Sequence, residues 1–113
     1  MRKAKIYFNK GTYVGRLIEI DARQGYIFEY SADYFGPPVS LAMPITNKIY
    51  QYTYFPPYFD GVLPEGAQLE ALLRLKKLDR NDYFGQLMCV GKDLVGAFSV
   101  EEEKKKKKHI SVP

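Results

Sequence analysis

Few side chains in this sequence carry the chemistry of an active site. The single histidine, His109, follows a run of lysines near the C-terminus, and the single cysteine, Cys89, lies in an apolar stretch. A Ser–His or Cys–His nucleophile pair therefore fits poorly, because the base has to lie beside the nucleophile that it activates. One cysteine also excludes an internal disulfide framework and a cysteine-caged metal site. We expect no metal and no cofactor.

Two acidic residues, Asp60 and Glu65, are the remaining candidates for acid–base chemistry. Structure explains their positions better than catalysis does, since Asp favours turns and Glu is stabilised at the positive end of a helix. The chain also lacks the glycine-rich loops and the Asp and Asn motifs with which kinases hold ATP and magnesium. The sequence therefore predicts a protein that is not an enzyme.

Alternating tyrosines suggest a second possibility, a small nucleic-acid-binding β-barrel. Tyr50, Tyr52 and Tyr54, together with Tyr58, could form a face on which bases stack. Only Lys48 accompanies them as a cation, whereas binding to phosphates needs several cations on one face. The net charge of +4 comes from the five lysines at positions 104–108. A half-buried, tyrosine-rich sheet face fits better, and nucleic-acid binding stays the alternative.

Length and composition indicate one globular domain. The chain has 113 residues, of which 46% are hydrophobic, so material for a core is ample. No apolar run approaches the ~18 residues of a membrane span, and the basic start is followed by too short an apolar stretch for a secretory signal. We expect a cytoplasmic protein that does not associate with membranes.

Alternating apolar residues between turn signals predict an antiparallel sheet. Three strands in the first third form a meander, with Gly11 in the first turn at positive φ and Gly15 at a bulge. A short apolar stretch between prolines, at 39–44, could be a further strand. An aromatic stretch at 48–55 and a last stretch at 93–100 are also predicted to be strands. In chain order these segments are residues 3–8, 12–20, 26–30, 39–44, 48–55 and 93–100.

Helical signals come in the second half of the chain. Pro64 and Glu65 suit a helix start, and the apolar arc over residues 68–78 is wide enough to predict that both Leu72 and Leu73 are buried. A second, short helix is capped by Asp79 and ends at Gly91. The prediction is an α+β domain over residues 1–100. A small antiparallel sheet is curled into a partial barrel and carries two helices, and a charged flexible tail follows at 101–113.

Several segments, in this order, resemble the N-terminal domain of HipA-type toxin kinases, the module that precedes their kinase core. The most specific is Phe-Asp-Gly-Val-Leu-Pro-Glu-Gly at residues 59–66, which leads into a helix containing Glu-Ala-Leu-Leu at 70–73. The other matching segments are residues 15–17, 26–30, 38–44, 82–87, 91–93 and 95–97. Each is weak alone, but together they cover the chain from about residue 13 to residue 100.

The resemblance implies a split, HipS-like system, because the chain stops where the family's kinase core would begin. No catalytic residue of the family has a position here. The implied role is that of a non-catalytic, antitoxin-like subunit of a bacterial toxin–antitoxin system, bound to a separate HipA-like serine/threonine kinase. A helix-turn-helix DNA-binding protein is a possible third component. Because the chain has no Trp, inhibition through an inserted Trp is excluded.

The composition of residues 55–66 is itself unusual, because they are apolar and aromatic and contain three prolines. Such a segment either packs on its own domain or contacts a partner, and the sequence leaves both open. We expect it to contribute to the surface that faces the kinase, since stiffness reduces the entropy lost on docking. The candidate contact residues are Tyr58, Phe59, Leu63, Pro64, Glu65 and Gly66.

Overall fold

The computed structural model describes residues 1–21 and 25–104, and shows an α+β fold, as predicted. An open antiparallel sheet of five strands has the order β4-β3-β2-β1-β5. The helices lie in the second half of the chain. The elements are β1 (Arg2–Phe8), β2 (Thr12–Asp21), β3 (Gly25–Tyr30), β4 (Ile49–Tyr52), α1 (Pro57–Gly61), α2 (Gly66–Lys76), α3 (Tyr83–Val90), a 3₁₀ turn (Gly91–Asp93) and β5 (Phe98–Glu102). Most of the predicted tail, residues 105–113, lies outside the described residues.

The predicted meander of β1, β2 and β3 is confirmed, with differences in its turns. Positive φ occurs at Asn9 and Lys10 and not at Gly11, as in a two-residue turn of type I′. The bulge lies at Val14, one residue before Gly15, where the β1–β2 register shifts. Gly15 instead allows close approach of β3, because a Cβ there would collide with the carbonyl oxygen of Glu29.

The core lies on one face of the sheet. Ala4, Ile6, Leu17 and Phe28 are fully buried there, and α1 and α3, together with the connection between β3 and β4, cover them. The main contributors from outside the sheet are Tyr34, Val39, Met43, Phe55, Phe59, Phe84 and Leu87. Fifteen buried side chains form this single cluster, which is what a domain of this size needs to fold around one core.

Residues 39–44 do not form the strand that was considered for them. They make turns, which one side chain stabilises: the hydroxyl of Tyr30 donates a hydrogen bond to the carbonyl of Met43 and accepts one from the backbone N–H of Val39. Flanking prolines remove the donors that a strand would need. The segment therefore closes one end of the core as an irregular loop.

The last third of the chain differs from the prediction at three boundaries. Asp82, not Asp79, caps α3, since its carboxylate accepts from the backbone N–H of Gly85 at 2.9 Å. Gly91 has an ordinary φ of −58° and opens the 3₁₀ turn. The strand expected at 93–100 is β5, which begins at Phe98 and continues to Glu102, because its last residues pair with β1.

Candidate functional site

Residues 55–66, which we call the α1–α2 segment, are anchored by a residue that faces the core. Phe59 is fully buried, and its ring lies 5.9 Å from that of Phe28, measured between centroids. It sits in α1, a short helix that the sequence did not indicate and that begins at Pro57, where a missing N–H costs nothing. Of the candidate contact residues, Phe59 therefore anchors the segment to the core and offers no surface to a partner.

Three of the candidates, Tyr58, Leu63 and Pro64, are half-buried. The Tyr58 ring stands edge-on to that of Phe59 at 5.1 Å, and burial raises the pKa of the Tyr58 hydroxyl. Leu63 and Pro64 line a cavity of about 300 Å³ between α2 and α3. Each of these side chains has one apolar side fixed by the domain and another open to solvent, as expected of residues that complete an interface.

The last two candidates, Glu65 and Gly66, are exposed at the start of α2. The Glu65 side chain makes no capping hydrogen bond, so its carboxylate is available. Gly66 has a φ of +60° with open space around it, which gives the chain the change of direction that it needs. Asp60 lines the same cavity as Glu65. In the described part of the chain, no group of three or more His, Cys, Asp or Glu side chains could hold a metal ion.

Helix α2 stands apart from the core. None of its residues is buried, and Leu75 is 77% exposed. The prediction that Leu72 and Leu73 are buried is wrong, because both are only half-buried. A wide apolar arc predicts cover on more than one side, but the described part of the chain provides cover on one side only.

An ionic cluster that the sequence did not suggest holds α3 in place. The guanidinium of Arg2 donates to both carboxylate oxygens of Glu19, at 2.7 and 3.0 Å, and to both carboxylate oxygens of Asp82, at 2.7 and 3.4 Å. It also lies over the ring of Phe84, 5.1 Å from the centroid. These partners are 17 and 80 positions away in sequence, so no local pattern could indicate them.

A single guanidinium compensates two carboxylates in this cluster. Burial raises the pKa of Asp82, but the hydrogen bonds from Arg2 and Gly85 outweigh it, so the pKa of that carboxyl lies below its ordinary value. The hydrogen bonds that Arg2 donates to Glu19, the largest cause, and to Asp82 raise the pKa of the Arg2 guanidinium. Asp82 thus serves as both the cap of α3 and an ion-pair partner.

A second chain of contacts connects α3 to α2. The side-chain amide of Gln86 is buried and donates to the backbone carbonyl of Arg80 at 2.9 Å. The guanidinium of Arg80 pairs with Glu70 of α2 at 2.7 Å. The position of α2 therefore depends on α3, and the position of α3 depends on Arg2.

The tyrosines of the alternative hypothesis are largely engaged in packing. Tyr50 and Tyr52 pack against the core, and the hydroxyl of Tyr50 donates to the carbonyl of Pro44 at 2.6 Å. Tyr54 is 63% exposed but follows the end of β4. The nearby cation, Lys48, lies over the ring of Phe35. This arrangement leaves little of the stacking face that nucleic-acid binding would use.

Membrane insertion finds no support among the helices of residues 1–21 and 25–104, none of which has the length and apolar character that crossing a bilayer requires. The longest, α2, has 11 residues.

Comparison with known proteins gives one consistent result. Residues 4–101 match the family model of the HipA N-terminal domain. An uncharacterised protein of Haemophilus influenzae strain Rd is 32% identical over 104 residues, which cover 92% of this chain and 95% of that protein. A solved structure, the N-terminal domain of a HipA toxin, superposes with a TM-score of 0.71 at 32% identity and covers 94% of this chain and 96% of its own.

Proposed function

Because this chain belongs to the HipA N-terminal domain family, we propose that it is a non-catalytic subunit that binds a separate HipA-like serine/threonine kinase. It regulates that kinase as an antitoxin-like component of a bacterial toxin–antitoxin system, in the cytoplasm. The observation that carries the proposal is that residues 4–101 match the HipA N-terminal domain and not its kinase domain. The Haemophilus relative supports it, because the 104 matched residues make up 95% of that protein, which therefore consists of little more than this domain.

The inventory of side chains supports a role in binding rather than in catalysis. The described residues bring together no nucleophile and base, and the two acidic candidates, Asp60 and Glu65, lie at the rim of an open cavity. We expect purified protein to transfer no phosphate from Mg-ATP to itself or to a generic protein substrate. Magnesium-dependent phosphotransfer that persisted through further purification would contradict a non-catalytic role.

The α1–α2 segment is the part of the surface that we assign to the kinase. Phe59 fixes it to the core, prolines at 56, 57 and 64 restrict it, and so little conformational entropy remains to be lost on binding. Tyr58, Leu63 and Pro64 offer apolar contacts, and Glu65 offers a carboxylate that makes no capping hydrogen bond. Interface centres favour this combination of a rigid aromatic with neighbouring apolar groups.

Co-purification from the native cell tests the proposal. A HipA-like kinase should accompany the protein, and a helix-turn-helix protein should be found in the same complex if the system has three components. An apolar contact should persist in moderate salt, whereas binding to nucleic acid should weaken steeply. Recovery of nucleic acid without a kinase would favour the alternative function.

Two substitutions then test the assigned surface. Tyr58→Ala and Glu65→Lys should each weaken binding to the kinase at least tenfold, about 1.4 kcal/mol, in calorimetric titrations. Tyr54→Ala and Asp33→Lys are matched controls, since both positions are exposed outside the segment. Unchanged melting temperatures would show that the fold is intact. If the first pair had no effect and Tyr54→Ala did, the interface would lie on the tyrosine-bearing side of the sheet.

A further inference from the structure

We infer that α2 is a docking helix whose outward stripe, formed by Ala71, Leu72 and Leu75, enters an apolar groove on the kinase with carboxylates along both rims. The inference rests on the proposed function and extends it from the α1–α2 segment to the helix that follows. It commits to a single occupant, the kinase polypeptide, and to the chemistry of the groove.

The helix has two apolar sides, and only one of them meets the domain. With 3.6 residues per turn, Leu69 and Leu73 lie on one side, and both line small cavities against the connection that leads to α3. Ala71 and Leu72, which are half-buried, and Leu75, which is 77% exposed, lie on the other side. Apolar side chains at this helical spacing are the anchors with which a helix enters a groove.

Charges border this outward stripe. Arg74 and Lys76 lie about 100° to either side of Leu75 in the helical projection, and both are exposed. Neither forms an ion pair within the part of the chain that the structure describes, while the helix's own carboxylate, Glu70, is already paired with Arg80. A groove that receives the stripe would complement these cations best with acidic groups on both rims.

The helix dipole explains part of this pattern but not all of it. Cations in the last turn of a helix are favourable without any partner, so Arg74 and Lys76 alone would indicate nothing. The dipole gives no reason for Leu75 to lie in water between them. A lipid surface is less suitable than a protein groove, because α2 has 11 residues and no aromatic side chain, and interfacial helices depend on a larger apolar face.

Titration of the kinase polypeptide with the full chain tests the inference. Leu75→Glu should weaken binding at least tenfold, because it removes an apolar anchor and brings a carboxylate to an acidic groove. Leu41→Glu is the matched control, since Leu41 is 95% exposed in the β3–β4 connection. It should bind as the original chain does. Melting temperatures should stay unchanged in both variants, since neither side chain supports the fold.

A charge reversal tests the rims. Lys76→Glu should weaken binding at least tenfold at low salt, and by less at 1 M salt, where the Debye length falls to about 3 Å. Lys92→Glu, at an exposed position in the 3₁₀ turn, should have little effect. Stronger binding of Lys76→Glu would overturn the acidic rims.

The outcomes separate this inference from the proposed function. If the original chain binds the kinase and Leu75→Glu binds equally well, the docking role of α2 is wrong and the proposed function stands. If the original chain binds no kinase, both are wrong. Binding of the original chain, but not of Leu75→Glu, to vesicles of anionic phospholipid in place of the kinase would also overturn the inference.

Discussion

Removing the guanidinium of Arg2 should destabilise the domain out of proportion to the exposure of that side chain. The Glu19 side chain is 8% exposed and that of Asp82 is 25% exposed, whereas Arg2 itself is 39% exposed. Breaking a buried ion pair costs about 3–5 kcal/mol because a carboxylate stays behind without compensation. Discounting for solvent around Arg2, we expect Arg2→Met to lower the free energy of unfolding by about 2 kcal/mol.

Urea and thermal unfolding, followed by circular dichroism, measure this effect. About 2 kcal/mol corresponds to a fall of roughly 8–16 °C in melting temperature for a domain of this size. The matched control is Arg80→Met, which breaks the Arg80–Glu70 pair, whose side chains are 59% and 53% exposed. Exposed pairs contribute little, so the control should stay within about 0.5 kcal/mol of the original protein.

The pH dependence gives the prediction a second test. The pKa of Asp82 is lowered in the folded state, so its ion pair stabilises the fold above the unfolded pKa of about 3.9 and is lost as pH falls through the folded pKa. The difference between Arg2→Met and the original protein should thus be full at pH 7 and shrink below about pH 4. Adding Glu19→Gln to the Arg2→Met variant should recover part of the lost free energy of unfolding at pH 7. The reasoning would be refuted if Arg2→Met lowered the free energy of unfolding no more than Arg80→Met does, or if its effect on that free energy did not change with pH.

Further predictions concern the chain end, a close backbone approach and two leucines. Deleting residues 101–113 should lower the melting temperature by several degrees, roughly the effect of 1 kcal/mol, because β5 pairs with β1 as far as Glu102; deleting 105–113 should leave it unchanged. Gly15→Ala should cost at least about 2 kcal/mol in urea unfolding, since its Cβ would collide with a carbonyl oxygen of β3. Leu87→Ala should cost about 2–5 kcal/mol, whereas Leu72→Ala, at a half-buried site, should cost less than about 1 kcal/mol in the absence of a partner.

The sheet was predictable where its signals are local. The ends of β1, β2 and β3 lie within one residue of the predicted ends, because turn signals bound all three strands and β1 and β3 alternate as half-buried strands do. Residues 39–44 have a similar composition, yet they form turns that depend on the hydroxyl of Tyr30. A contact between residues so far apart in the chain leaves no mark on the local pattern.

The cap of α3 shows the same limit at a smaller scale. Asp79 and Asp82 are both suitable capping residues, and the sequence favoured the first. The structure selects Asp82, whose carboxylate binds Gly85 and at the same time receives Arg2 from the first strand. Asp79 instead stabilises the preceding turn through the backbone N–H of Asn81. A long-range ion pair decided between two locally equivalent positions.

The candidate contact segment stays a prediction, but the structure shows that its residues differ in burial. Aromatic and proline content drew attention to residues 55–66. Composition alone does not distinguish an aromatic ring that anchors the segment from one that faces a partner. Phe59 proved to be the anchor, while Tyr58 beside it keeps an open side. Self-packing and partner contact, which the sequence left as alternatives, are both compatible with one segment when adjacent side chains point in opposite directions.

Helix α2 shows what a hydrophobic pattern does and does not contain. The pattern indicates how much of the helix surface is to be buried, but it does not indicate whether the residues that bury it belong to the same chain. Leu75 lies open, while α2 is joined to the domain through the Glu70–Arg80 pair, the buried amide of Gln86 and, beyond them, the Arg2 cluster. That series of contacts links the direction of the uncovered stripe to the position of α3, although its exposed Glu70–Arg80 pair contributes little to stability. Loss of Arg2 should therefore weaken kinase binding through the position of α2, although Arg2 itself lies outside the proposed interface.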